Sequence, residues 1–341
     1  MSADEVPHRL DLGRLDMKVV RRDFLRLAAG AAVLPALLRM ASAQAYPSRP
    51  VRIIVSTAAG GGPDIVARLL GQRLSERLGQ QFLIDNRPGA SGNIGTEAVV
   101  KAPPDGHTLL MVGASSAINA TLYQKLNFNF IRDIAPVASI SRTAAVLAVH
   151  PSVPAQTVPD LIAHAKSNPG TLTFASPGIG SAPHMAGELL KVMAGVDLLH
   201  VPYRGDAAAL TDLIGGQVQL CFVGAPAATE SIRSGTVRAL AVTSATRFRT
   251  VPDIPSLSEF LPGYEANGWA GFGAPRDTPA EIVAKLNQEI NAVLADSTII
   301  ARLADLGSTP AAGSPADFGR LIAEETEKWG KVIKFAGIKP E

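Results

Sequence analysis

Residues 60–62 are three consecutive glycines, set between the β-branched run Val51–Ser56 and an amphipathic pattern that opens at Pro63. Glycines at a strand-to-helix junction let the backbone approach a ligand closely and aim the free N–H groups of a helix start at an anion. The loop holds no Lys or Arg, and GGGPD lacks the Gly-Lys-Ser/Thr ending of a nucleotide-binding loop. Thr57, Ala58, Ala59, Gly60 and Gly61 therefore predict a site of backbone amides and hydroxyls. Three more segments are of the same kind: NRPGASGNIG (86–95), VGASSAIN (112–119) and FASPGIGSAPHMAGELL (174–190). They add Ser115, Ser116, Ser176 and Ser181. Neutral donors suit a small delocalised charge such as a carboxylate, whereas a phosphate recruits Arg or Lys. One such loop is explained by a tight turn with a helix cap; several on opposing lobes are better explained by a ligand cleft.

Other chemistry is thinner. Asp64 falls in the first turn of its helix, where a carboxylate complements the dipole; it is a candidate cap before it is a candidate ligand contact. His184 follows Ser181 by three residues and raises a Ser–His nucleophile, but no G-x-S-x-G elbow occurs. The six histidines include no i,i+4 pair and there is no CxxC, which argues against a metal site; no cofactor motif is present. Tyr203, Asp206 and Trp269 are candidates for the cleft wall, with core packing the competing account of the aromatics. Arg204 is the one cation near a glycine loop and reads as a solvated charge.

The first forty-five residues stand apart. They hold paired arginines at Arg21 and Arg22, an apolar run to Leu38, and A-x-A endings at Ala41–Ala43 and Ala43–Ala45. This is the pattern of a cleaved twin-arginine export signal and predicts a periplasmic protein. Pro35 and Arg39 interrupt a run already too short for a membrane anchor. The segment holds seven of the 32 Lys/Arg and five of the 30 Asp/Glu, so the remainder carries 25 of each. The whole-chain pI of about 8.7 is thus largely a property of the signal. A neutral chain without a basic cluster argues against nucleic acid as a partner. Cys221 is the only cysteine and lies in VQLCFV, an expected buried strand.

Short apolar runs alternate with helix patterns, which predicts parallel βαβ construction. Strands are expected at 51–56, 82–85, 108–112, 145–149, 172–175, 199–201, 218–223 and 237–243. Helices are expected at 63–78, 158–167, 182–194, 207–214, 225–234, 278–294, 297–306 and 315–335. Two crossings, near His150 and Gly268, would make two lobes that close on a ligand. A single doubly wound sheet fits the same alternation.

The run from YPSRPVRIIV (46–55) through AGGGPDIVARLLGQRLSERLGQQFLIDNRPGASGNIGTEAVVKAPPDGHTLLM resembles the extracytoplasmic solute receptors of the tripartite tricarboxylate transporters, the Bug proteins. SPGIGSAPHMAGELLK, VPYRGDAAALTDLIGGQVQLCF and GWAGFGAPRDTPAEIVAKLN match the same family in order, so the similarity covers residues 46–341. The resemblance implies an α/β, two-lobed type II periplasmic-binding-protein fold with a two-crossing hinge. Lobe 1 would comprise 46–148 and 268–341, and lobe 2 would comprise 149–267. It implies capture of a small carboxylate-bearing solute without catalysis, for inner-membrane permease subunits, by a monomer. The ligand carboxylate would be held by the loop at Thr57–Gly61, opposite Ser176–Ser181, with His184, Tyr203 and Asp206 nearby. Two departures fall near the expected pocket. Ser56 and Thr57 stand where the family has proline and an aromatic, and Val223 stands where an acidic residue is common.

Three functions remain open at this level: a transport receptor, a ligand sensor feeding a signalling partner, and a hydrolase using Ser181 and His184.

Overall fold

The computed structural model describes residues 46–123, 125–248 and 251–340. The twin-arginine segment lies outside the described residues.

The first half of the described chain begins with three βα units. β1 (Val51–Val55) leads into α1 (Gly62–Leu78), β2 (Phe82–Asn86) into α2 (Asn93–Val100), and β3 (Thr108–Gly113) into α3 (Ala114–Leu122). A single turn, α4 (Phe130–Asp133), precedes β4 (Ile134–Thr143). After one residue, Ala144, comes β5 (Ala145–Val149), then α5 (Val158–Ser167). Three more βα units follow: β6 (Thr173–Ser176) with α6 (Ala182–Ala194), β7 (Leu199–Pro202) with α7 (Asp206–Ile214), and β8 (Leu220–Gly224) with α8 (Ala225–Arg233). The second half ends with β9 (Arg238–Val242). The chain then returns through β10 (Gly268–Pro275), α9 (Ala280–Leu294), α10 (Ser297–Asp305), β11 (Ser308–Pro310) and α11 (Pro315–Ala336).

These strands form two sheets, ordered β11-β4-β10-β3-β1-β2 and β7-β6-β8-β5-β9. The two orders share one plan. β1 lies between β2 and β3 with parallel pairing, as β6 lies between β7 and β8. Beyond β3 comes the antiparallel β10, and beyond β8 the antiparallel β5. Each inserted strand is the one that follows a crossing from the other sheet. The molecule is therefore two α/β lobes, each completed by a strand arriving from its partner, and not one doubly wound sheet. The sheets are mixed rather than parallel throughout. β5 pairs with β8 and β9, so residues 145–148, expected to close the first lobe, sit in the second sheet.

Helix α11 joins the lobes, packing on β4 and α3 of the first and on α6 of the second. One buried cluster runs from Ile54 and Leu110 through Trp329 and Tyr264 to Phe174 and Phe222. The expected cleft aromatic Trp269 belongs to it: 4% exposed, edge-on to Phe318 at 5.7 Å, with its Nε1 donating to Glu325. Cys221 is buried in β8, and burial pushes its thiol up to about 12.

Candidate functional site

The carboxyl ends of β1, β2, β3 and β6 turn toward one cavity of about 350 Å³. That edge is where open α/β sheets place their ligands. Ser56, Thr57 and Ala58 line it from the loop after β1, Gly89, Ser91 and Gly92 from the turn after β2, and Thr96 from α2. Ser115, Ser116 and Asn119 contribute from α3, and residues 177–181 face them from the second lobe. Among the described residues, no ionisable side chain lines it.

The sequence builds this wall by withholding caps. The residues at the helix starts of α2 and α3 are Gly92 and Gly113, and neither supplies a side-chain hydrogen bond to its helix. The first-turn N–H groups of a helix have no internal partner, so a glycine cap leaves them for solvent or ligand. Ser115 and Ser116, in the first turn of α3, line the cavity. The turn after β2 is held open by left-handed backbone at Gly89, Ala90, Ser91 and Gly92.

Several expected site residues brace the loops rather than line the cavity. Asp64 is 2% exposed. Its carboxylate accepts from Gly60 N–H at 2.8 Å, Arg68 Nε at 3.0 Å and Asn86 Nδ2 at 3.0 Å. The hydrogen bond from Arg68 chiefly holds its pKa down at about 2, with Gly60 and Asn86 adding to it. Asp64 therefore folds the glycine loop back on its own helix, and the Gly60 N–H is taken by Asp64. Ala59, Gly60 and Gly61 lie outside the cavity wall.

The opposing loop is committed in the same way. Gly178 N–H donates to Ser176 Oγ at 3.3 Å, and Gly180 N–H to His184 Nδ1 at 3.1 Å. Ser176 is fully buried, its Oγ 2.7 Å from His200 Nε2. Ser181 lines the cavity as the cap of α6: its Oγ accepts from His184 N–H and donates to Gly178 O at 2.7 Å. Because a backbone N–H can only donate, His184 Nδ1 is an acceptor and its proton sits on Nε2. The Ser181 hydroxyl is not directed at the imidazole, so the Ser–His nucleophile is not assembled. Burial, the neighbouring His200 and Lys191 bring the His184 pKa from 6.5 down to about 3.

Tyr203 and Asp206 stand outside the wall. Tyr203 donates to Asp212 at 2.7 Å, and burial with that bond lifts its pKa to about 12. Asp206 opens α7, and burial raises its pKa. Arg204 is exposed. The sequence reading missed Ser91, Thr96 and Asn119 as wall residues, although the 86–95 and 112–119 segments that contain two of them stood out by their glycines and small residues. A larger cavity, about 640 Å³, lies beside the lobe crossings. Its charges are already paired, Arg247 with Glu259 and Arg142 with Glu265, and no glycine loop reaches it.

The model of the tripartite tricarboxylate transporter family receptor matches residues 66–338. Protein BugT of Bordetella pertussis is 35% identical over 301 residues, covering 87% of this chain and 92% of BugT. Among solved structures, R. palustris Rpa4515 with adipate is 40% identical with a TM-score of 0.76, over 87% of this chain and all of that one. MatC from Rhodopseudomonas palustris with bound malate is 33% identical with a TM-score of 0.73, over 84% of this chain and all of that one.

Proposed function

The chain belongs to the tripartite tricarboxylate transporter family of receptors, and from that premise we propose that it captures a small carboxylate in the periplasm for an inner-membrane permease. It is a solute-binding protein and not an enzyme. The observation that carries the ligand class is the cavity wall: two helix starts with glycine caps, those of α2 and α3, and a set of hydroxyls converge on it, with no charged side chain among the described residues that line it. Helix N-termini favour negative charge by about 0.3–1 kcal/mol each when exposed. Such a field suits one delocalised carboxylate better than a phosphate, for which a cation would be expected.

Thr57, Ala58, Ser115, Ser116, Asn119 and the 177–181 loop are the residues proposed to contact the solute. Asp64, Ser176 and His184 hold those loops in shape. Adipate and malate, held by two related proteins, are small carboxylates of the size the cavity admits. Export through Arg21-Arg22 completes the reading; replacement of both with lysine is expected to leave precursor in the cytoplasm, and undiminished periplasmic delivery would refute it. Among the described residues no helix is long and apolar enough to cross a membrane.

The test of the ligand class is a thermal shift with matched acids and esters. A ligand selective for the folded state stabilises it by about 2.7 kcal/mol at a hundredfold excess over Kd. A carboxylic acid is expected to raise Tm by a few degrees and its methyl ester to do little. Equal shifts would end the carboxylate reading.

A further inference from the structure

The side-chain amide of Asn119 has one end assigned and the other not. Its Nδ2 donates to Ser91 O at 2.7 Å. A backbone carbonyl can only accept, so that bond fixes the amide orientation and turns Oδ1 away from Ser91. Asn119 is 3% exposed and lines the cavity, and its Oδ1 has no hydrogen-bond partner among the described residues. The second lobe closes over it: a Cβ built on Gly180 would lie 3.8 Å from Oδ1. A buried amide oxygen without a donor is unfavourable, so closure over Asn119 is favoured by a solute that brings the donor with it.

We propose that Asn119 Oδ1 is a specificity-determining acceptor, and that the captured acid carries a hydroxyl near its carboxylate. The inference rests on the carboxylate reading of the cavity. Ser115 precedes Asn119 by one turn of α3, roughly 6 Å along the axis. A carboxylate at the Ser115 and Ser116 amides thus leaves Oδ1 within reach of a substituent on the adjoining carbon chain, through one hydrogen bond. A hydroxyl fits better than an ammonium, because no carboxylate side chain lines the cavity to offset a second charge.

The experiment is calorimetric titration of the exported protein with matched pairs: L-malate and succinate, L-lactate and propionate, L-mandelate and phenylacetate. For each pair that binds, the hydroxy acid is expected to bind about tenfold more tightly than its deoxy partner. Asn119→Ala is expected to bring that ratio to about one. A merely structural role would weaken both members equally and leave the ratio intact, which would overturn the proposal, as would equal affinities in the unaltered protein. O-methyl-lactate keeps the oxygen but cannot donate. It is expected to bind like propionate in the unaltered protein, which makes the test independent of whether the variant folds. Tighter binding of L-alanine than of L-lactate would overturn the choice of a neutral donor. If no acid in the panel binds, it is the carboxylate reading that fails.

Discussion

The backbone N–H of Gly180 donates to Nδ1 of His184 across 3.1 Å, tying the tip of the second lobe's 177–181 loop to a buried imidazole. His184 in turn stacks on His200, with ring centroids 3.9 Å apart. Both must be neutral for this packing. Burial is the main cause that lowers His184 from 6.5 to about 3 and His200 from 6.5 to about 4.

Acid should therefore loosen this lobe. Both folded-state values are depressed, so the stabilisation is complete above 6.5, where the unfolded imidazoles are neutral too, and is lost as pH falls toward 4 and 3. The slope is about 1.4 kcal/mol per pH unit for each histidine. Urea midpoints are expected to drop between pH 7 and pH 5, and less steeply in His184→Asn, whose amide oxygen can still accept from Gly180. A flat profile over that range would refute the buried neutral pair. Asp64 falls in a different window: its pKa is depressed from 3.8 to about 2, so its contribution is lost only as pH falls through that range.

Asp64→Ala tests the brace on the first loop. The change leaves Gly60 N–H without its acceptor and removes one of the two acceptors of Asn86 Nδ2, which keeps Thr57 O. The loss is expected to be about 1–3 kcal/mol, toward the lower end because the half-exposed Arg68 guanidinium returns to water. Affinity for the solute is expected to fall as well, since Thr57 and Ala58 belong to the same loop. Unchanged stability in chemical denaturation would show that the loop holds its shape without Asp64.

Gly187→Ala isolates packing behind the site. A Cβ there would meet Phe174 Cε2 at 2.2 Å, and Phe174 is fully buried against His200. Alanine gains up to about 1 kcal/mol of helix propensity, but overpacking costs about 1–3 kcal/mol or more. Net destabilisation is expected in thermal denaturation; a stabilised variant would mean that Phe174 can swing aside.

The first βα unit was legible because a β-branched run is followed by glycines and a four-residue apolar stripe, whereas the short α2 (Asn93–Val100) carries no such stripe and was not expected. α5 and α6 were read with their observed ends, set by caps at Thr157 and Ser181. Of the antiparallel strands at the crossings, β5 matches the expected 145–149, whereas β4 and β10 were not legible. β10 carries Gly268, Gly271 and Gly273, which sequence propensity reads as loop. The glycines are there because a Cβ on Gly271 would meet Phe318 Cζ at 2.2 Å and Ala138 O at 2.5 Å, a constraint set by residues distant in the chain. The site divided in the same way. Glycine and serine content located the loops, while the roles of Asp64, Ser176 and His184 depend on which amides they capture, and that is a three-dimensional fact.

Closure of the lobes is the last expectation. The cavity takes its walls from both sheets, and the lobes already touch beside it, where a Cβ on Gly180 would lie 3.2 Å from Leu122 Cδ2. Two crossings connect the sheets, a short one at Ala144 and a long one from Thr243 to Asn267. The long crossing is pinned to the second lobe by Tyr264, whose hydroxyl donates to Ala186 O at 2.8 Å in a fully buried position. Rotation therefore has few places to occur, and those near Ala144 and Gly268 are the candidates. A solute that bridges α3 and the 177–181 loop interacts with both walls only when they are close, so it must favour the closed arrangement by that difference in contact. Small-angle scattering on protein unfolded and refolded to remove any retained solute is expected to show a larger radius of gyration than the same sample with a tight acid added. Superimposable profiles from the stripped and loaded protein would mean that the cleft is preformed and that the two crossings are not a hinge.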